Sequence, residues 1–195
     1  MHRLASTFSA HFRKQNIAGT YFSHSHAMIG AIEQSIYIPL NIKHMNTEKT
    51  ISILNVLIQM NNDRIEGYER AINDTEEDDL KVLFGEFSAT SRRLNDELVD
   101  EVENLDGEPI EGSTTSGKLF RIWMDVKSAL TRKDIFGILN SCEYGEEWAV
   151  KEYERVLNEQ WEFLTVDQIE MLRDQYVLIK KDHDEIKEFR NQVKA

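Results

Sequence analysis

The sequence predicts an all-α protein built on four long amphipathic helices. Apolar side chains recur three and four residues apart in four segments of the 195-residue chain, the spacing of one helix face. No segment shows the period-two alternation and β-branched enrichment of a strand, so we expect no sheet. Proline occurs only at positions 39 and 109, outside the long segments. A chain of this length holds one well-buried domain.

The first two helices are marked by capping residues and breakers. The first is predicted to follow Thr47, and the second opens with Thr75 and Asp78, which resemble a capping box. Gly107 and Pro109 end the second helix. The apolar stripe of the first helix is Ile51, Leu54, Ile58, Ile65, Tyr68 and Ile72. The stripe of the second is Leu80, Leu83, Phe87, Leu94, Leu98 and Val102.

A loop rich in glycine, serine and threonine precedes a shorter amphipathic segment, residues 118–130, which we predict as a separate crossover helix. Thr131 is predicted as the N-cap of the third bundle helix. Thr165 and Gln168 form a capping box for the fourth, which runs towards residue 193. The third stripe is Ile135, Leu139, Cys142, Ala149, Tyr153 and Val156, and the fourth is Ile169, Leu172, Tyr176, Ile179, His183 and Ile186.

Each stripe contains a polar residue at mid-depth: Asn61, Ser91, Glu146 and His183. A buried carboxylate without a partner would be costly, so we expect Glu146 to pair with Lys180 or His183. A short internal repeat supports a common layer: YERAI at 68–72 matches YERVL at 153–157, with Asn61 and Glu146 seven residues before the two tyrosines. We expect the hydroxyls of both tyrosines to reach this layer.

Charge and composition divide the chain at about residue 45. Residues 1–44 carry a net charge of +3, which leaves −15 for the rest of a chain whose total is −12. We predict that residues 1–45 are a poorly ordered extension and that residues 46–195 form the bundle. The acidic body argues against nucleic acid and anionic membranes as partners, and no segment has the roughly 20 apolar residues of a membrane span. A single cysteine, Cys142, suits a reducing, cytoplasmic location.

Three stretches carry a resemblance to a known family: NDRIEGYE, TTSGKLFRIWMDVKSALT and SCEYGEE. The chain resembles an uncharacterised bacterial family of ferritin-like four-helix-bundle proteins, known as a domain of unknown function, within the ferritin and bacterioferritin superfamily. The resemblance covers residue 46 to about residue 190. It implies a ferritin-like four-helix bundle with an extra short helix in the crossover between bundle helices 2 and 3. Because ferritin relatives often assemble, it also leaves a homo-oligomer open.

The superfamily binds two irons with one Glu on the first helix, Glu-x-x-His on the second, one Glu on the third and Glu-x-x-His on the fourth. Aligned with this pattern, the ligand positions hold Asn61, Ser91, Leu94, Glu146, Lys180 and His183. Only two of the six keep a ligand, which argues against a di-iron centre because iron ions need several anionic oxygens. A remnant site for one iron or zinc ion would use Glu143, Glu146 and His183.

Three functional hypotheses follow. The first is a non-enzymatic binding or stress-associated scaffold with a degenerate di-iron site and no cofactor. The second is a metal-dependent oxidoreductase or iron-handling protein that uses the non-standard site with iron or zinc. The third is an interaction module that docks a protein partner through the crossover helix. Nucleophile-base arrangements and phosphate-binding glycine loops are absent from the sequence, which names no substrate.

Overall fold

A computed structural model describes the backbone of residues 18–113 and 118–194, and the side chains of residues 46–113 and 120–193. Within these ranges the protein is an all-α helical bundle without strands. Five α-helices and one short 3-10 helix, Trp161–Phe163, follow one another along the chain. The α-helices are α1 Ala18–Asp74, α2 Asp78–Asn104, α3 Lys118–Thr131, α4 Ile135–Glu159 and α5 Val166–Lys194.

The chain divides into two compact units, residues 1–44 and residues 45–195. Residues 1–17 lie outside the described part, and the backbone from Ala18 to residue 44 is helical. The helix predicted to begin after Thr47 therefore begins earlier, whereas the poor order predicted for residues 1–45 stays a prediction. Among the described residues, no helix combines the length and the apolar character that a bilayer crossing requires. All side-chain geometry below belongs to residues 46–193.

The core of the second unit lies between α1, α2, α4 and α5, with α3 packed against α4. Each helix buries residues of the stripe that its sequence predicts, and Cys142 is buried as expected. One half of the core is aliphatic and contains Leu54, Leu98 and Ile179. The other half contains an aromatic group, with Phe84 and Phe87 around the ring of Tyr68. Removing these side chains from water supplies the main drive for the bundle to form.

Helix ends agree with the capping signals at one boundary and differ at two. Thr165 and Gln168 form the predicted capping box: each backbone N–H donates to the other side chain, at 2.8 and 3.2 Å. The N-cap of α4, however, is Asp134, whose carboxylate accepts from the backbone N–H of Gly137 at 2.9 Å. Thr131 ends α3 instead, so its prediction as an N-cap was wrong. At the start of α2, the capping position belongs to Glu77, whose side chain makes no capping bond.

The buried face of α5 agrees with the predicted stripe at every second residue. At the other positions, the buried residue is the one that comes immediately before the predicted residue in the chain. Leu172, Ile179 and Ile186 are buried as expected. Between them the bundle buries Gln168, Gln175 and Asp182, while Ile169, Tyr176 and His183 are half-buried. Both sets alternate spacings of three and four, so periodicity alone cannot choose between them. The polar set is buried because each of its members has a hydrogen-bond partner on another helix.

Side-chain amides on α1 hold the loop that leads towards α3. Asn55 donates to the carbonyl oxygen of Glu108 at 3.0 Å and accepts from the N–H of Ile110 at 2.8 Å. Gln59 donates to the carbonyl oxygen of Gly112 at 2.9 Å. These bonds satisfy backbone groups that have no helical partner. They also fix the path of the loop along α1.

Gly67 is the point at which α3 comes closest to α1. A Cβ built there would overlap the indole ring of Trp123, so only glycine allows this packing. The same indole meets the ring of Tyr68 edge to face, with 4.8 Å between the ring centroids. Helix α3 therefore packs on α1 through Trp123. Gly85, on α2, has open space where its Cβ would be.

Removal of residues 1–44 should leave the helicity per residue and the melting temperature of the remaining chain nearly unchanged. Residues 1–44 differ from the rest of the chain in charge and show no sustained apolar periodicity, so we expect them to contribute little buried area. Circular dichroism with thermal melting measures both quantities. Removal of residues 1–61 is the matched control, because it also takes away core residues such as Leu54. A large loss of melting temperature in the shorter deletion would contradict the prediction.

Gly67→Ala and Gly85→Ala should change stability in opposite directions. Both place alanine in a helix, which by itself favours the folded state by roughly 0.5 to 1 kcal/mol. At Gly85 this gain should remain, whereas at Gly67 the overlap with Trp123 should reverse it, with a net loss of about 1 to 3 kcal/mol. Urea denaturation of both variants tests this, and equal stabilisation of both would exclude the close packing of α3 on α1.

Candidate functional site

The candidate site is a buried ionic layer in which one guanidinium is held by two carboxylates from other helices. Arg64 of α1 donates through Nε and Nη2 to Glu146 of α4, with the shortest contact, Nη2 to Oε2, at 2.8 Å. The same Nη2 donates to Oδ2 of Asp182 on α5 at 3.0 Å. All three side chains are at most 4% exposed. The layer therefore joins α1, α4 and α5 in the interior.

Tyr68 connects this layer to the aromatic group of the core. It lies one turn after Arg64 on α1, and its hydroxyl donates to Oε1 of Glu146. Its ring stacks on Phe84 and meets Phe87 and Trp123 edge to face. The position of helix α3 and the position of the Glu146 carboxylate are thus coupled through the side chain of Tyr68.

The layer has one negative charge in excess when both carboxylates are ionised. Burial raises the pKa of Asp182 to about 7; the charge of Arg64 opposes this effect and the charge of Glu146 reinforces it. Burial and then the charge of Glu146 also raise the pKa of the Tyr68 hydroxyl well above its ordinary value. Burial lowers the pKa of Arg64, but the two carboxylates outweigh it, so that this pKa lies above its ordinary value. At neutral pH, Arg64 is charged and Tyr68 is a neutral donor, and Asp182 keeps its proton to higher pH than an ordinary aspartate.

A second polar level lies about two helix turns from the ionic layer, since Tyr153 and Gln175 are seven residues from Glu146 and Asp182, respectively. The Tyr153 hydroxyl donates to Oε1 of Gln175 at 2.8 Å and accepts from Nδ2 of Asn61 at 3.5 Å. Gln175 in turn donates to the carbonyl oxygen of Leu94 at 3.3 Å and to the carboxylate of Glu97 at 2.8 Å. Burial raises the pKa of the Tyr153 hydroxyl above its ordinary value, which keeps it a donor. These contacts join all four long helices, α1, α2, α4 and α5.

The two levels are related by the internal repeat. Tyr68, in the first repeat, donates to Glu146, which lies seven residues before Tyr153 of the second repeat. Tyr153, on α4, contacts Asn61, which stands seven residues before the first tyrosine. The tyrosine of each repeat therefore forms a hydrogen bond with the polar residue that precedes the tyrosine of the other repeat. This reciprocity confirms that both hydroxyls reach the polar interior.

The predicted site residues are placed as follows. Glu146 is buried, but its partners are Arg64 and Tyr68, so the expected pairing with Lys180 or His183 was wrong. Lys180 is exposed and pairs with Asp184, and His183 is half-buried and also contacts Asp184. Helix α5 presents Asp182 to the interior in place of its neighbour His183, which explains both differences.

Glu143 is paired with Arg190, on α5. The three predicted metal ligands thus have three separate sets of partners. Among residues 46–113 and 120–193, whose side chains the structure describes, no group of three His, Cys, Asp or Glu side chains has an arrangement that could hold a metal ion. The metal site assigned to Glu143, Glu146 and His183 stays a prediction.

Sequence reasoning missed Arg64, Asp182 and Gln175. All three lie beside stripe positions, at Ile65, His183 and Tyr176, and charged and amide residues are normally exposed, so the pattern favours their neighbours. One signal was present in the sequence. Glu146 on an inward stripe requires a cation within reach, and Arg64 lies one turn from Asn61 and from Tyr68, both predicted to face inward.

The fold and this site define an all-α bundle whose interior holds a paired guanidinium. Residues 49–159, more than half of the chain, match the family described as a domain of unknown function, DUF2383. The chain belongs to this family. The matched range includes Arg64, Tyr68 and Glu146 and ends before α5, which carries Asp182. No curated protein matches the chain.

Arg64→Leu should cost more stability than replacement of the whole layer. The single change leaves two carboxylates buried without their cation, a loss of about 3 to 5 kcal/mol. The combined change Arg64→Leu, Tyr68→Phe, Glu146→Leu and Asp182→Leu leaves no polar group unpaired and should cost less. The free energies of unfolding from urea denaturation give the comparison.

Arg155→Leu is the matched control for Arg64→Leu. Arg155 pairs with Glu152 one turn away on α4, near the surface, so its removal should change stability by at most about 1 kcal/mol. If Arg64→Leu costs no more than this control, the layer does not hold the bundle together. If the combined variant is the least stable of the three, unpaired charge is not the reason for the loss.

Asp182→Asn should remove a pH-dependent part of the stability. The pKa of this carboxyl is about 7 in the folded protein and 3.8 ordinarily, so the folded state binds more protons between these values. Wild-type stability should then fall as the pH rises through that window. Between pH 5 and pH 8 it should fall by about 2 to 3 kcal/mol relative to Asp182→Asn. Asp174→Asn, an exposed change on the same helix, is the control, and parallel curves for wild type and Asp182→Asn would contradict the prediction.

Proposed function

We propose that the protein is a non-enzymatic, cytoplasmic binding scaffold with ferritin-like topology, in which a guanidinium takes the interior position that metal ions take in di-iron relatives. The observation that carries the proposal is the contact of Arg64 with Glu146 and Asp182. A cation surrounded by inward carboxylates from different helices is the electrostatic arrangement of a metal centre. Here the cation belongs to the chain itself.

The distribution of the polar residues supports ferritin-like topology. Each of the four long helices buries at least one polar side chain, among them Asn61, Ser91, Glu146 and Asp182. The short helix α3 lies between the second and third of these helices in chain order, as the resemblance implies for a crossover. Four inward polar positions and one crossover helix are the features on which this part of the proposal depends.

The residues present do not fit a di-iron centre. At the first two ligand positions, Asn61 donates to the carbonyl oxygen of Leu57 at 3.1 Å, and Ser91 donates to that of Phe87 at 2.9 Å. Neither brings a negative charge. A pair of irons needs several anionic oxygens, and the two buried carboxylates of the layer are already bound by Arg64.

The alternative is a metal-dependent oxidoreductase or iron-handling protein that uses Glu143, Glu146 and His183. For these three to share an ion, Arg64 would have to release a buried carboxylate, and Arg190 would have to release Glu143. Breaking a buried ion pair is costly, so the geometry favours the scaffold.

Metal analysis of protein purified without a metal-affinity tag separates the two hypotheses. The scaffold should hold far less than one iron or zinc ion per chain after reconstitution and should not oxidise ferrous iron. Glu143→Gln, Glu146→Gln and His183→Gln should then leave the metal content unchanged. If wild type holds a stoichiometric ion that each variant loses, the alternative is correct. Two tightly held irons per chain would overturn the degenerate site altogether.

A further inference from the structure

A cavity of about 100 Å³ lies between α1 and α3, away from the contacts of the ionic layer. This volume is close to that of a single aromatic ring, since a buried apolar cavity of roughly 150 Å³ accepts benzene. Its apolar wall includes Gly67, Ala71, Phe120, Trp123, Met124 and Leu130. Phe120 and Met124 are 36% and 49% exposed, so a ligand has access from the surface.

Two opposite charges line the cavity from its two sides. Asp74 belongs to α1 and Lys127 to α3, and both are exposed. Neither forms an ion pair with another described side chain, whereas Glu66 and Arg70 pair with each other across one helix turn. Asp63, the remaining carboxylate of the lining, is already engaged. Among the described side chains, one carboxylate and one ammonium group of the lining therefore have no ion-pair partner.

The indole of Trp123 contains a polar atom that has no partner among the described residues. Nε1 of Trp123 is buried and has no hydrogen-bond partner within the described part of the chain. Buried donors are normally paired. The indole otherwise offers an apolar surface, as aromatic residues do in small-molecule sites.

We propose that this cavity binds a small zwitterion with an aromatic side chain, that is, an aromatic α-amino acid. The ring lies against the indole of Trp123, the ammonium group faces Asp74, and the carboxylate faces Lys127. Most of the affinity comes from burial of the ring, because the two charges are solvated. A ligand of this size in a half-open site has a dissociation constant in about the millimolar range. The inference goes beyond the proposed function and does not depend on metal content.

Titration of the full-length ¹⁵N-labelled protein with three probes tests the inference by NMR. L-phenylalanine should shift the indole resonance of Trp123 in a saturable way. Phenethylamine, which lacks the carboxylate, and 3-phenylpropionate, which lacks the ammonium group, should each bind roughly two- to fivefold more weakly. No saturable shift of that resonance with L-phenylalanine, or equal binding of all three probes, would overturn the proposal.

Two variants test whether Asp74 binds the ammonium group of the ligand and whether Lys127 binds its carboxylate. Asp74→Asn should weaken binding of L-phenylalanine and of phenethylamine but not of 3-phenylpropionate. Lys127→Gln should weaken L-phenylalanine and 3-phenylpropionate but not phenethylamine. Asp79→Asn and Lys187→Gln, exposed changes elsewhere on the bundle, are the matched controls. If the rim variants bind all probes as the controls do, the cavity does not recognise a zwitterion.

Discussion

The structure depends on the burial of the Arg64 guanidinium between Glu146 and Asp182. Charges withdrawn from water are costly unless each has partners in good geometry, so α1, α4 and α5 have to meet at one depth and in one rotation. A hydrophobic core alone tolerates some sliding and repacking of its helices. The ionic contact restricts them because each donor of Arg64 points to a particular carboxylate. We regard this layer as the element that selects one packing of the bundle.

Tyr68 connects the ionic layer to helix α3. The hydroxyl of this residue holds Glu146, and its ring supports Trp123. Trp123 in turn lies on Gly67, where a larger residue would not fit. A shift of α3 relative to α1 should therefore move the Glu146 carboxylate. A change in the ionic layer should likewise move Trp123 in the wall of the surface cavity. These contacts link the proposed binding site to the ionic layer.

The buried ion pair limits which polar groups of the bundle can bind a ligand. The polar groups at the centre of the bundle bind one another, and their hydrogen-bonding capacity is largely used within the chain. The chemistry still available lies on the surface, at the groove beside α3. The reciprocal contacts of Tyr68 with Glu146 and of Tyr153 with Asn61 suit a bundle made from two copies of one hairpin. In such a bundle, polar positions inherited by both copies can be paired with each other.

The sequence by itself determined the class of fold, the order of the helices and most of the core, because a spacing of three and four residues is a local property of each helix. It also placed Asn61, Ser91 and Glu146 inside the bundle, and their burial confirms this. It could not decide between two equally periodic faces of α5, one with His183 and Tyr176 and one with Asp182 and Gln175. Only the tertiary structure decided that, because a polar side chain enters the core when another helix brings it a partner. For Asp182 this partner is Arg64, which lies 118 residues away in the chain.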